Sequence, residues 1–262
     1  MIEKEFNGTL YSEYGKQTDP ALIMIHGLGL NKDVWQWMIP ALKDKYRVIS
    51  YDLYGHGKSA KSTDTPSLSM FSKQLSGFMT FLKIDQVTLI GFSLGGMIAR
   101  RFAQDEPERT EGLVILHSPH QRSPQAQAAI LNRVEQARKY GPLATVEAAL
   151  ERWFTLNFRI SKPSVIDLVR SWVLANETDV YYKIYGVLAE GIDEIVTPDP
   201  AISCPTLVVT GDQDFGNGPE MSNAIAAEIA GSKVYILKGL RHMALAENPS
   251  LVNDLIIDFL KA

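Results

Sequence analysis

The 262-residue chain reads as one α/β domain, with a mostly parallel sheet and a helical segment inserted in it, and three observations predict this. Short apolar runs alternate with longer stretches of helical period toward both ends of the chain. Most of those runs are continuously apolar, the pattern of strands covered on both faces by helices. From residue 119 to residue 200 the alternation stops, and only helical patterns follow one another.

The candidate strands are residues 22–25, 47–51, 87–90, 113–116, 206–210 and 233–237. Helical patterns cover 34–42, 69–82, 94–105, 219–230 and 249–260. The last of these has Asn248 as N-cap and Pro249 at the first helical position. Residues 3–6 and 9–14 flank Asn7-Gly8, a dipeptide that favours a tight hairpin, so the sheet is expected to open with an antiparallel pair. The inserted segment is punctuated by Gly141-Pro142, Lys162-Pro163 and Thr197-Pro198, and it is rich in large rings such as Trp153, Phe154, Trp172 and Tyr181. Its size predicts a lid over a site. The expected organisation is a core of residues 1–118 and 201–262 with a cap of 119–200.

Composition narrows the function. Hydrophobic residues are 45% and charged residues 21%, enough for a sizeable core. The net charge is -4 and no long run of one sign occurs, which argues against a nucleic-acid partner. The Arg100-Arg101 pair reads as a solvated helix face. The single cysteine, Cys204, rules out an intrachain disulfide and reads as a small residue at a strand end. Met1 to Glu5 is charged and lacks the apolar core of a signal peptide. No apolar run approaches the ~18–20 residues of a membrane span. The expectation is a cytoplasmic protein with no membrane partner, and a homo-oligomer is left open.

Gly91-Phe92-Ser93-Leu94-Gly95 matches G-x-S-x-G between a predicted strand and a predicted helix. A serine on so sharp a turn takes a strained backbone, and flanking glycines relieve the crowding because they carry no Cβ. Its hydroxyl then stands above the sheet at a helix N-terminus, where developing negative charge is favoured. A serine hydroxyl needs a base, and a histidine titrates in the right range. Of the five histidines, His242 lies in the loop between the last strand and the last helix and is the candidate base. His26 is expected to brace its loop, and His117 and His120 to be pocket-wall or structural residues. Either Asp212 or Asp214, in Gly211-Asp212-Gln213-Asp214, could orient the far nitrogen of His242. Backbone N–H groups of Leu94 and of Leu28, in His26-Gly27-Leu28-Gly29, are the expected oxyanion donors. The stretch from Asp52 to Ser59 lacks the phosphate-loop patterns and reads as a structural loop. No His, Cys and carboxylate set has metal-ligand spacing, so neither a metal nor another cofactor is implied.

These features, in this order, resemble the α/β-hydrolase superfamily: His26-Gly27-Leu28-Gly29, Asp52 to Ser59, Gly91-Phe92-Ser93-Leu94-Gly95-Gly96, Gly211-Asp212-Gln213-Asp214 and His242. The resemblance implies an eight-stranded, mostly parallel sheet with a helical cap inserted after the sixth strand. It favours Asp214 as the acid of the Ser93, Asp214 and His242 set. Within the superfamily the chain is similar to small capped esterases and 3-oxoadipate enol-lactonases, whose cap Glu151-Arg152-Trp153-Phe154-Thr155 resembles. A serine nucleophile disfavours the dehalogenase and epoxide hydrolase branches. Met243, where a tryptophan often stands in carbon–carbon hydrolases, lowers that branch.

The expected activity is therefore hydrolysis of a small carboxylic ester or lactone through an acyl-enzyme. Trp153, His120 and Met243 are the expected substrate contacts, and Arg122, Arg152 and His120 are candidates for holding a substrate carboxylate. The alternatives are a carbon–carbon bond hydrolase or perhydrolase using the same triad, and a non-catalytic ligand receptor on the same fold.

Overall fold

Asn7 and Gly8 both take positive φ, 45° and 74°. They turn the chain between β1 (Glu3–Phe6) and β2 (Thr9–Tyr14), an antiparallel pair with Phe6 opposite Thr9. That is the hairpin geometry an Asn-Gly turn allows without splaying the strands. The computed structural model describes residues 3–261; Met1 and Ile2, part of the N-terminal stretch read above, and Ala262 lie outside the described residues.

Six further strands complete the sheet: β3 (Ala21–Ile25), β4 (Arg47–Tyr51), β5 (Val87–Phe92), β6 (Thr110–Leu116), β7 (Thr206–Gly211) and β8 (Lys233–Leu237). The spatial order is β1-β2-β4-β3-β5-β6-β7-β8. β2 runs antiparallel to β4, and every pair from β4 through β3 to β8 is parallel. β4, β5 and β7 are buried at every position, as their unbroken apolar runs require of strands covered on both faces. β8 alternates exposed and half-buried residues because it closes the edge of the sheet.

Helices cover the faces. The single helix expected over 34–42 is instead a 3-10 turn, Lys32–Trp37, and a short α1 (Ile39–Leu42). Pro40 has no N–H to continue a helix and sits at the start of a new one. α2 (Leu68–Phe81) is capped by the Ser67 side chain, and α3 (Leu94–Asp105) follows β5 directly. Arg100 of α3 corrects the reading of a solvated pair. It is fully buried and donates to the Pro119 carbonyl at 2.6 Å, while its neighbour Arg101 pairs with Asp105 at the surface. Adjacent helical residues point about 100° apart, so one faces inward.

Between β6 and β7 the chain forms α4 (Pro124–Tyr140), α5 (Val146–Trp153), α6 (Leu156–Ser161), α7 (Pro163–Leu174) and α8 (Thr178–Glu190), with no strand. Proline opens α4 and α7, and the Ser123 and Thr155 side chains cap α4 and α6. After β7 come α9 (Pro219–Ala227), α10 (Ala244–Glu247) and α11 (Pro249–Leu260), the last capped by Asn248 as expected. No helix among the described residues is long and apolar enough to cross a membrane.

Strand register then fixes where the loops meet. Ile25 pairs with Gly91, Gly91 with Ile115, Leu116 with Val209, and Gly211 with Leu237. The carboxyl ends of β3, β5, β6, β7 and β8 are therefore level. Residues just beyond them share one edge, where open α/β sheets form their crevice.

Candidate active site

Ser93 leaves β5 with φ 56° and ψ −114° and begins α3 as its N-cap. A side-chain-bearing residue rarely takes this conformation, and it persists only where the surroundings enforce it. The enforcement is close packing: a Cβ on Gly95 would overlap the Ile25 carbonyl, and one on Gly91 would overlap the Gly95 carbonyl. α3 therefore presses against β3 and β5, and the serine is held at the tip of the turn. Ser93 N donates to the Leu116 carbonyl at 2.8 Å, which ties the turn to β6.

Ser93, Asp214 and His242 line a single cavity of about 90 Å³ between the sheet edge and the helical insertion. His242 Nδ1 donates to Asp214 Oδ2 at 2.7 Å. Ser93 Oγ and His242 Nε2 are not hydrogen-bonded to each other, and neither has another partner among the described residues. Asp212 does not reach His242; its Oδ1 accepts from Gly239 N at 2.8 Å and braces the loop after β8.

Asp214 has a second imidazole that the sequence reading missed as a partner. His117, just past β6, donates from Nδ1 to the same Oδ2 at 2.9 Å. Asp214 Oδ1 accepts from Gly216 N and Asn217 N, each at 3.0 Å. Burial alone would raise the Asp214 pKa, but the attraction of His242 and the hydrogen bonds from His117 and His242 outweigh it and hold the carboxyl well below the usual range. Burial pushes the His117 ring below its usual range despite Asp214, so at neutral pH it is a neutral Nδ1–H donor. Its backbone is also unusual, with φ 50°.

The sequence spacing held no metal signature, yet the fold gathers one. His117, Asp214 and His242 bring ligand-type atoms within 4.8 Å of one another. Both Nδ1 hydrogens are directed at Asp214 at hydrogen-bond length, so a cation there would have to displace both.

The loop after β3 lies opposite the serine, and two buried histidines hold it. His26 Nδ1 donates to the Gly27 carbonyl at 2.8 Å, and its Nε2 accepts from Leu53 N at 3.0 Å. His56 Nε2 accepts from Gly29 N at 3.0 Å. Burial lowers the pKa of both, that of His56 to about 4, so both rings are neutral cross-braces between the loops after β3 and β4. Asp52 completes the second loop by accepting from Lys32 N and Lys58 N. The backbone N–H groups of Leu28 and Leu94 have no acceptor among the described residues.

The insertion is latched to the His242 loop through Glu151-Arg152-Trp153-Phe154-Thr155. Arg241 donates to the Glu151 and Phe154 carbonyls, Met243 N to the Trp153 carbonyl, and Thr155 N and Oγ1 to Glu247. Trp153 stacks on the His242 ring with centroids 6.0 Å apart and lines the cavity. The other two expected substrate contacts lie elsewhere. Met243 is fully buried in the hydrophobic core and does not line the cavity. His120 sits 3.1 Å from Glu228 and does not line the cavity. Arg122, Arg133 and Arg152 do line it. Cys204 lies outside it, half-buried ahead of β7, where burial raises its thiol pKa.

Comparison with known proteins agrees with this architecture. The alpha/beta hydrolase fold family matches residues 20–249. The 3-oxoadipate enol-lactonase 2 of Acinetobacter baylyi is 27% identical over 246 residues, 94% of this chain and 90% of its own length. The (E)-2-((N-methylformamido)methylene)succinate hydrolase of the same organism is 29% identical over 235 residues, 89% of this chain and 87% of its own. Among solved structures, the enol-lactonase of Burkholderia xenovorans superposes with a TM-score of 0.90 over 100% of both chains at 24% identity. A thermophilic esterase of Thermogutta terrifontis gives 0.87 at 27% identity, covering 97% of this chain and 93% of its own. With its eight-stranded, mostly parallel sheet and a family match over nearly its whole length, the chain belongs to the alpha/beta hydrolase fold family.

Proposed function

We propose that the chain is a serine hydrolase that cleaves a small carboxylic ester or lactone, with Ser93 as nucleophile, His242 as general base and Asp214 as the residue that orients it. One observation carries the reading: a serine on a strained strand-to-helix turn shares a cavity with a histidine whose far nitrogen is bound to a buried carboxylate. Because Nδ1 carries its hydrogen toward Asp214, Nε2 of neutral His242 keeps the lone pair that can accept the serine proton. The Ser93–His242 hydrogen bond forms as substrate fills the cavity, since such contacts are often loose without substrate.

Ser93 Oγ attacks the acyl carbonyl and its proton passes to His242 Nε2. The resulting oxyanion is held by the unpaired N–H groups of Leu28 and Leu94, helped by the N-terminus of α3. His242 then protonates the departing alkoxide. Water then attacks the acyl carbonyl as its proton passes to His242, and the acyl–Ser93 bond breaks as His242 returns that proton to Ser93 Oγ, releasing the carboxylic acid. The helical insertion acts as the cap that closes the cavity, which at about 90 Å³ suits a compact substrate. The enol-lactonase relative, aligned over 94% of the chain, favours an ester or lactone bond.

A fluorophosphonate reagent should label the protein at Ser93, and Ser93→Ala should abolish labelling. The same variant should slow hydrolysis of p-nitrophenyl acetate by roughly a thousandfold or more. Equal turnover in wild type and Ser93→Ala would refute the nucleophile assignment.

A further inference from the structure

Three arginines line the cavity that holds Ser93 and His242, and no free carboxylate answers them. Arg122 precedes α4, Arg133 lies in α4 and Arg152 in α5. Asp214 is the one acidic residue in the cavity wall among the described residues, and its four hydrogen bonds go to His117, His242, Gly216 and Asn217. Arg122 donates only to the neutral carbonyls of Leu188 and Ala189, and Arg133 to the Tyr185 hydroxyl. Arg152 makes no hydrogen bond to another described residue; it feels its neighbours only at a distance.

Of the other eight arginines, six pair with carboxylates, among them Arg47 with Glu13, Arg109 with Glu106 and Arg170 with Glu147, while Arg100 and Arg241 donate to backbone carbonyls outside this cavity. Burial, then repulsion from Arg133, lowers the Arg122 pKa to about 10, and the same two causes lower that of Arg152. Both stay charged at neutral pH. Like charges held together in a half-buried cavity oppose folding unless an anion joins them. The planar fork of a guanidinium matches a carboxylate with two parallel hydrogen bonds. In a protein of net charge -4 this is a local positive field at the mouth of the chemistry.

We propose that the cavity is built for an ester or lactone bearing free carboxylates, two in preference to one, held by Arg122, Arg133 and Arg152 while the scissile carbonyl meets Ser93. The proposal rests on the reading of Ser93 as nucleophile for the reaction, but the anion site can be measured without it.

Calorimetric titration of the protein with succinate, glutarate and adipate in low-salt, phosphate-free buffer reads the site directly. At least one dicarboxylate should bind, more tightly than its monomethyl ester and than inorganic phosphate. Arg152→Met, with its fold checked by circular dichroism, should weaken that binding roughly tenfold or more, and Arg152→Lys should restore part of it. In parallel, the ratio of kcat/KM for mono-p-nitrophenyl glutarate to that for p-nitrophenyl butyrate should exceed roughly ten in wild type and fall toward one in Arg152→Met. No binding by any of the three acids, or phosphate binding as tightly as they do, overturns the anion site. Esters turned over at a ratio near one would do so too and leave the hydrolase reading standing. Dicarboxylate binding with no ester turnover and no Ser93 labelling would leave the site standing and remove the hydrolase reading.

Discussion

His117 and His242 donate to the same oxygen of Asp214, at 2.9 and 2.7 Å. The carboxylate that would steady a catalytic imidazole thus divides its negative charge between two rings. On the proposed mechanism, His117 would act as a positioning residue through Asp214. Removing its hydrogen bond leaves more of the Asp214 charge to favour a proton on the other ring. The acid limb of the kcat/KM profile, below which the base is protonated, should then move to higher pH in His117→Ala, by roughly half a unit or more. His117→Asn should lie nearer wild type, since asparagine tolerates the φ of 50° and keeps an N–H donor. Superimposable profiles for wild type and His117→Ala would leave His117 with a packing role only.

The turn under Ser93 depends on the absence of one carbon atom. A Cβ on Gly95 would overlap the Ile25 carbonyl, which is backbone in the central strand and cannot rotate away. Gly95→Ala should destabilise by about 3 kcal/mol or more and lower Tm by roughly 6–12 °C. Gly77 supplies the contrast. It lies on the exposed face of α2 with nothing within 4 Å of an added Cβ, so Gly77→Ala should stabilise by about 0.5–1 kcal/mol. Thermal unfolding of the two variants checks both signs, and a Gly95→Ala protein as stable as wild type would show that α3 can back away from β3.

Much of this site was legible because it depends on local pattern. G-x-S-x-G between an apolar run and a helical period predicts a serine on a sharp turn, and the structure has Ser93 there with φ 56°. Asn248 and Asn7-Gly8 carry their own cap and turn chemistry and take the expected geometry. What escaped depends on which elements become neighbours. His117 and Asp214 are 97 residues apart, and they meet because β6 and β7 pair although five helices separate them. The available signal was that both follow adjacent parallel strands. Arg133 escaped because nothing in the period of α4 says which side of it will face Ser93. Met243 was misread as a substrate contact because closeness to His242 in sequence does not fix side-chain direction; its N–H latches Trp153 while its side chain enters the core. Glu151-Arg152-Trp153-Phe154-Thr155 is recognisable as a motif, but it holds the His242 loop largely through backbone carbonyls, which sequence does not display.

The two cross-bracing histidines should make the fold sensitive to acid. His26 and His56 are buried, and burial holds both pKa values below the 6.5 of a free imidazole, that of His56 at about 4. Below pH 6.5 the unfolded chain therefore binds protons that the folded chain refuses. The stability these rings contribute is complete above that pH and drains away as pH falls toward 4. For His56 alone the loss between pH 7 and pH 5 is about 2 kcal/mol, and His26 adds to it in the same direction. Urea unfolding at the two pH values should show that loss in wild type. His56→Asn supplies an oxygen in place of the ring nitrogen that accepts from Gly29 N, and it cannot titrate in this range. Its stability should be lower at pH 7 but should fall less on acidification. An equal fall in the two proteins would show that protonation of His56 does not open the loop after β3.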